Sequence, residues 1–220
     1  MVPWCSCLEY SRGIGVHCCV TTPAFGLNFD YRCPFARIIH EHVVVAQKAG
    51  AGFDITFEPF TLSQGHIAPG NPPAWEDPAY DADLLALEVG LAARDLAPDK
   101  FLDVHLALFT ARHDEGVTLR TRVQVTTVLE QFGIDPTPIF AYVDGGTPRA
   151  EIAETWTRRA GGDQVFGVPT FFVNNQSVFV RYMERPTGNP QESIDLIARL
   201  VDLMVNQPAI NEFKHTTLPR

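Results

Sequence analysis

The stretch Phe29 to Ile38, FDYRCPFARI, sets one cysteine between an apolar, strand-like run and a helix-like one. The nucleophile of thiol chemistry is the thiolate, and a free cysteine keeps its proton up to a pKa of ~8.5. At a helix N-terminus, unpaired backbone N–H groups and the macrodipole favour the anion. Reactive cysteines placed there fall to roughly 3.5–7.5. Pro34 suits a first helical turn, where no N–H is needed. The spacing therefore predicts a nucleophilic thiol at Cys33, stabilised by the helix N-terminus around Phe35 and Ala36. The competing reading is a small buried apolar residue, since free cysteine is often fully buried.

Three positions later, where a second cysteine would complete a redox pair, stands Ala36. A dithiol enzyme forms a mixed disulfide with its substrate and resolves it with the second sulfur. Cys33 cannot close such a disulfide within this motif, so resolution would fall to an external thiol.

The elements that must position Cys33 follow from periodicity. FGLNFDY (25–31) alternates apolar and polar residues, which suits a strand. FARIIHEHVVVAQKAG carries a helical stripe ending near Gly50, and FDITFEPFTL is a second strand. Strand, helix and strand open an α/β unit with a parallel pair. Residues 62–78, rich in Gly and Pro, read as a loop. Helical spacing then covers 81–96, 98–116, 118–133 and 147–162, with a turn or two near PTPIFAYVD. GVPTFFVNNQSVFVRYM reads as an antiparallel hairpin turning at Asn174-Asn175. Pro190 to about Asn206 closes as an amphipathic helix. The predicted layout is an extension over 1–24, an α/β domain over 25–206 interrupted by helices over about 79–162, and a tail over 207–220.

A net charge of −9 without clustered Lys and Arg argues against nucleic acid as a partner. No apolar run reaches the ~18 residues that cross a bilayer. Four of the five cysteines, Cys5, Cys7, Cys18 and Cys19, lie in the first 24 residues beside His17. CSC and HCC lack the gaps of ordinary zinc knuckles, so no metal site is assigned. The segment reads as a loosely ordered extension, or as an upstream start outside the working protein. It lacks the basic start and apolar stretch of an export signal. The expected location is the cytoplasm, where structural disulfides are disfavoured.

The element order, with FDYRCPFA at 29–36, ARHDEG at 111–116, LEQFGID at 129–135 and VFGVPTFFVNNQSVFVRYMERP at 165–186, resembles the DsbA family of thiol–disulfide oxidoreductases. The resemblance covers roughly residues 25–206. It implies a thioredoxin-like α/β fold with a helical insertion. It also implies a cis Val168–Pro169 bond facing Cys33, with Pro169 part of the catalytic centre. Pro34, Phe35, Ala36, Val168 and Thr170 would border the substrate. Ala36 is the departure from the family pattern, and it places net disulfide donation in doubt.

Three functions stay open. In the first, Cys33 alone exchanges disulfides with a small-molecule or protein substrate, and a low-molecular-weight thiol serves as co-substrate, no cofactor being bound. In the second, the chain resembles kappa-class glutathione transferases and related isomerases, which carry a hydroxyl side chain at the key position. In the third, the fold is a redox-inactive binding module. Arg181 and Arg185 are candidates for gripping a thiol cofactor's carboxylate. His40 lies about 10 Å along the helix from Cys33, too far for a direct base. His105 and His113 read as packing or surface residues, and Phe57, Phe60 and Trp75 as core or pocket wall. The sequence sets no oligomeric state.

Overall fold

The computed structural model describes residues 24–212 and 214–215. The cysteines and His17 of the first 23 residues lie outside that set. The chain opens with β1 (Phe25–Phe29), α1 (Pro34–Lys48) and β2 (Ile55–Pro59). β1 and β2 pair in parallel, Leu27 opposite Phe57. Five helices follow: α2 (Asp81–Leu96), α3 (Phe101–His113), α4 (Arg122–Glu130), α5 (Pro136–Asp144) and α6 (Thr147–Trp156). A π turn continues α6 through Thr157–Gly162. The chain then returns as β3 (Thr170–Val173), β4 (Gln176–Phe179) and α7 (Pro190–Asn206). The sheet order is β2-β1-β3-β4, with β3 antiparallel to both neighbours. The result is a thioredoxin-like sheet interrupted between β2 and β3 by a helical insertion.

Local chemistry accounts for most boundaries. Asn174 and Asn175 adopt φ of 47° and 62°, the left-handed pair that a two-residue hairpin turn requires and Asn tolerates. α4 starts later than its spacing suggests because Thr121 caps it. The Thr121 hydroxyl accepts from Gln124 N, and Gln124 Oε1 takes the N–H of both Arg120 and Thr121. α3 likewise starts at Phe101 rather than Pro98, after a turn closed by Phe101 N donating to Pro98 O. The stretch after β2 is not wholly irregular, since Leu62–His66 form a 3-10 turn capped by Thr61.

β1 alternates apolar and polar residues, yet neither of its faces is open to water. It lies inside the sheet, and all five residues are buried. Its polar positions therefore face the protein rather than water, and each must find a partner there. α1 packs against α7 and α3, and α6 reaches β2, so the insertion is seated on the same core as the sheet.

Candidate functional site

Cys33 is the N-cap of α1, in extended conformation, with Pro34 in the helix's first turn. Its Sγ lies 3.5 Å from Ala36 N, which donates to it, and 3.3 Å from Val168 O, which accepts its proton. The residue is 7% exposed. Burial pushes the thiol up from its ordinary value; the N–H groups of Ala36 and Phe35 act in the opposite sense, and Asp30 adds to the rise. The helix terminus is thus present but does not win. Desolvation outweighs it, so the balance of these contributions favours the protonated thiol.

The second wall is the turn that enters β3. The Val168–Pro169 peptide bond is cis. Pro169 O accepts from Val180 N at 3.1 Å, tying this turn to the residue just past β4. Asn28, fully buried in β1, braces it from beneath: its Nδ2 donates to Gly167 O (3.2 Å) and its Oδ1 accepts from Thr170 N (2.6 Å). Thr170 is buried, and its hydroxyl donates to Gly167 O at 2.8 Å.

Pro34 is exposed and Phe35 half-buried at the mouth of the site, whereas Ala36 is completely buried beneath the sulfur. The Arg181 guanidinium lies over the Phe35 ring, 5.0 Å from its centroid. Arg185 is instead engaged internally, with Nε and an Nη on the Glu41 carboxylate (2.8 and 2.7 Å). Beside the turn, Phe166 is 79% exposed and meets the Phe179 ring in a tilted contact at 5.0 Å.

Two further groups fix the cysteine loop. Asp30, buried, takes the N–H of Arg32 and of Leu62 (2.9 and 2.8 Å) and the Arg32 guanidinium (2.7 Å). His113, at the end of α3, donates Nε2–H to Tyr31 O (2.9 Å). His40 and His105 are fully buried in the core, and Phe57, Phe60 and Trp75 pack in or against it. Sequence reasoning passed over Asn28 and Asp30. The available signal was a polar side chain on a strand between two others, where both faces are covered. Among the described residues no group of three or more His, Cys, Asp or Glu is placed to hold a metal. None of the helices is long and apolar enough to cross a membrane, again among the described residues.

The DSBA-like thioredoxin domain family matches residues 27–186, and the chain belongs to that family. Among solved structures it is similar to DsbA of Pseudomonas aeruginosa (20% identity, TM-score 0.53, covering 92% of this chain and 94% of that one). It is also similar to the cytosolic disulfide reductase DsbM of Pseudomonas aeruginosa solved with GSH (15% identity, TM-score 0.57, covering 82% and 100%). DsbA of Xylella fastidiosa is a third (17% identity, TM-score 0.51, covering 85% and 88%). No curated protein matches the chain. At these identities the likeness is one of fold.

Proposed function

From family membership and the surroundings of one sulfur, we propose that the chain is a monothiol disulfide reductase that works by exchange with low-molecular-weight thiols. In the first step Cys33 loses its proton and attacks a disulfide R–S–S–R′. A bond forms between Sγ and one substrate sulfur, and R′–SH leaves with a proton. In the second step an external thiol R″–SH attacks the substrate sulfur of the mixed disulfide. R–S–S–R″ departs and Cys33 is again a thiol. The net change is R–S–S–R′ + R″–SH → R–S–S–R″ + R′–SH: the R′ half is reduced to a thiol, the external thiol is oxidised into the departing disulfide, and one protein sulfur suffices.

The observation that carries this reading is the pairing of a buried, proton-holding Cys33 with Ala36 beneath it. A strongly oxidising dithiol site depends on a stabilised thiolate that leaves readily. Desolvation works against that here, since a neutral mixed disulfide or thiol loses nothing by burial while a thiolate does. Cys33 is thereby favoured as acceptor of an adduct over donor of a disulfide. A reducing direction also accords with DsbM, described as a cytosolic disulfide reductase and solved with GSH, and with a cytoplasmic setting. Val168 O, 3.3 Å from Sγ and followed by the cis bond to Pro169, supports an adduct seated against this turn.

The test uses the full chain with Cys5, Cys7, Cys18 and Cys19 each replaced by Ser, incubated with a mixed disulfide and followed by intact mass. A single adduct is expected, lost in C33S and released by added thiol. Alkylation of Cys33 should be slow at neutrality and accelerate only above the ordinary thiol range, because burial raises the pKa and leaves little thiolate. A36C in the same background should close an internal disulfide and lose both free thiols. Adduct formation in otherwise unaltered C33S at the native rate would move the chemistry to the N-terminal cysteines and overturn the assignment.

A further inference from the structure

The walls of the Cys33 site form a closed circuit, and one member of it has no assigned task. Cys33 Sγ meets Val168 O at 3.3 Å; the next residue, Pro169, holds Val180 through its carbonyl at 3.1 Å. The residue after Val180 is Arg181, and its guanidinium covers Phe35, two residues beyond Cys33. Arg181 is thus delivered to the mouth of the site by the turn that walls the sulfur.

Its electrostatic state is unusual for this protein. Ten of the twelve described arginines pair with a carboxylate, Arg112 and Arg181 being the exceptions. Arg181 has no carboxylate partner among the described residues. Among the described residues it meets only the aromatic face of Phe35, which orients the planar group while leaving its in-plane N–H donors free. Those donors match a carboxylate in bidentate geometry. A stacked, unpaired guanidinium beside a thiol suits a substrate that carries a carboxylate near its own sulfur.

We infer that Arg181 selects the thiol partner of Cys33, favouring thiols and disulfides that bear a carboxylate over neutral or cationic ones. The inference rests on the proposed exchange chemistry and names its substrate class. Phe35 acts with Arg181 as the platform that fixes the guanidinium. The charge is exposed, so the preference weakens as salt rises.

The test again uses the full chain whose sole cysteine is Cys33. Adduct formation is timed with 3,3′-dithiodipropionate, bis(2-hydroxyethyl) disulfide and cystamine, each rate divided by that of the same disulfide with a free small thiol. The expected preference for the dicarboxylate over the neutral disulfide is about fivefold to tenfold at low salt, as expected for one charge-assisted contact. R181Q should bring the ratio close to one, and R181K should retain part of it. A ratio unchanged in R181Q overturns the inference and leaves the exchange reading standing. Should none of the disulfides modify folded protein, the exchange reading fails. The inference is then decided with the unreactive thioether 3-(methylthio)propionate, followed through the amide signals of Phe35 and Arg181. Shifts that vanish in R181Q uphold it, and no shifts overturn it.

Discussion

Helix α3 meets α1 in two places, and the two contacts are built on opposite electrostatic lines. Deep in the core, Tyr31 Oη lies 2.8 Å from His105 Nδ1, His105 Nε2 lies 2.8 Å from His40 Nδ1, and His40 Nε2 lies 3.1 Å from Asn28 O. A carbonyl only accepts, so His40 donates through Nε2 and accepts at Nδ1. That fixes His105 as donor through Nε2 and Tyr31 as donor to His105. Every proton in this chain points one way, and every member is neutral. At the rim, the end of α3 uses full charges. Asp114 pairs with Arg37 and with Arg185, and both arginines also pair with Glu41. Both contacts bracket the cysteine loop, one through Tyr31 and the other through Arg37. The difference is what burial dictates: ions persist where water still reaches one partner, and imidazoles stay neutral where it does not.

The comparison breaks most visibly at its centre. H105L keeps the volume but leaves the Tyr31 hydroxyl and His40 Nδ1 without partners, in a site too tightly packed for easy repair. An ideal Cβ at neighbouring Gly90 would already stand 2.3 Å from Tyr31 Oη. At about 1–3 kcal/mol per orphaned buried group, the expected loss is about 4 kcal/mol. Urea midpoints at pH 7 measure it. A loss below about 1 kcal/mol would mean the chain contributes little beyond its packing.

Acid probes the same core without a mutation. Burial holds His40 down to about 4 and His105 well below its ordinary value. The unfolded imidazoles titrate near 6.5, so between about pH 6.5 and 4 the unfolded chain binds more protons than the folded one. Stability present above pH 6.5 should fall as pH drops through that window. His40 alone accounts for about 3 kcal/mol by the time its folded pKa is passed, at ~1.4 kcal/mol per unit. Unfolding midpoints at pH 7, 5.5 and 4 should show the decline, and H40N, compared with the parent, should show a shallower one. An equally steep decline in H40N would assign the proton uptake elsewhere.

These groups also mark how far the sequence could be read. Gly, Pro and capping residues act over a few positions, which is why α2, α7 and the Asn174-Asn175 hairpin follow their local patterns so closely. The strand-to-helix junction placed Cys33 for the same reason. Its environment was not legible, because the turn whose Val168 carbonyl meets the sulfur lies 135 positions away in the chain. The His40–His105 link spans 65 positions and leaves no periodic trace; each histidine merely occupies a core position on its own helix. Asn28 carries no local mark of its role, because its partner Gly167 lies 139 positions away in the chain. Arg181 drew notice as a possible anion grip, yet only the structure separates it from Arg185, which Glu41 already occupies.

The smallest expected effect belongs to the rim, and it is where the comparison is sharpest. D114N removes one charge from the ring, but Arg37 keeps Glu41 at 2.9 Å and Arg185 keeps it at 2.7 Å. The Asp114 side chain is 39% exposed, so water screens its pairs and replaces the lost contact. The expected cost is about 0.5–1 kcal/mol, in the range of partly exposed ion pairs. Salt then separates the two contacts. Near 1 M ionic strength the screening length falls to ~3 Å, and the gap between D114N and the parent should narrow. The gap between H105L and the parent should not, because its groups are neutral and buried. A salt-insensitive loss in D114N as large as that of H105L would mean that Asp114 seats the end of α3 through geometry rather than charge. The two contacts would then be one kind of clamp, not two.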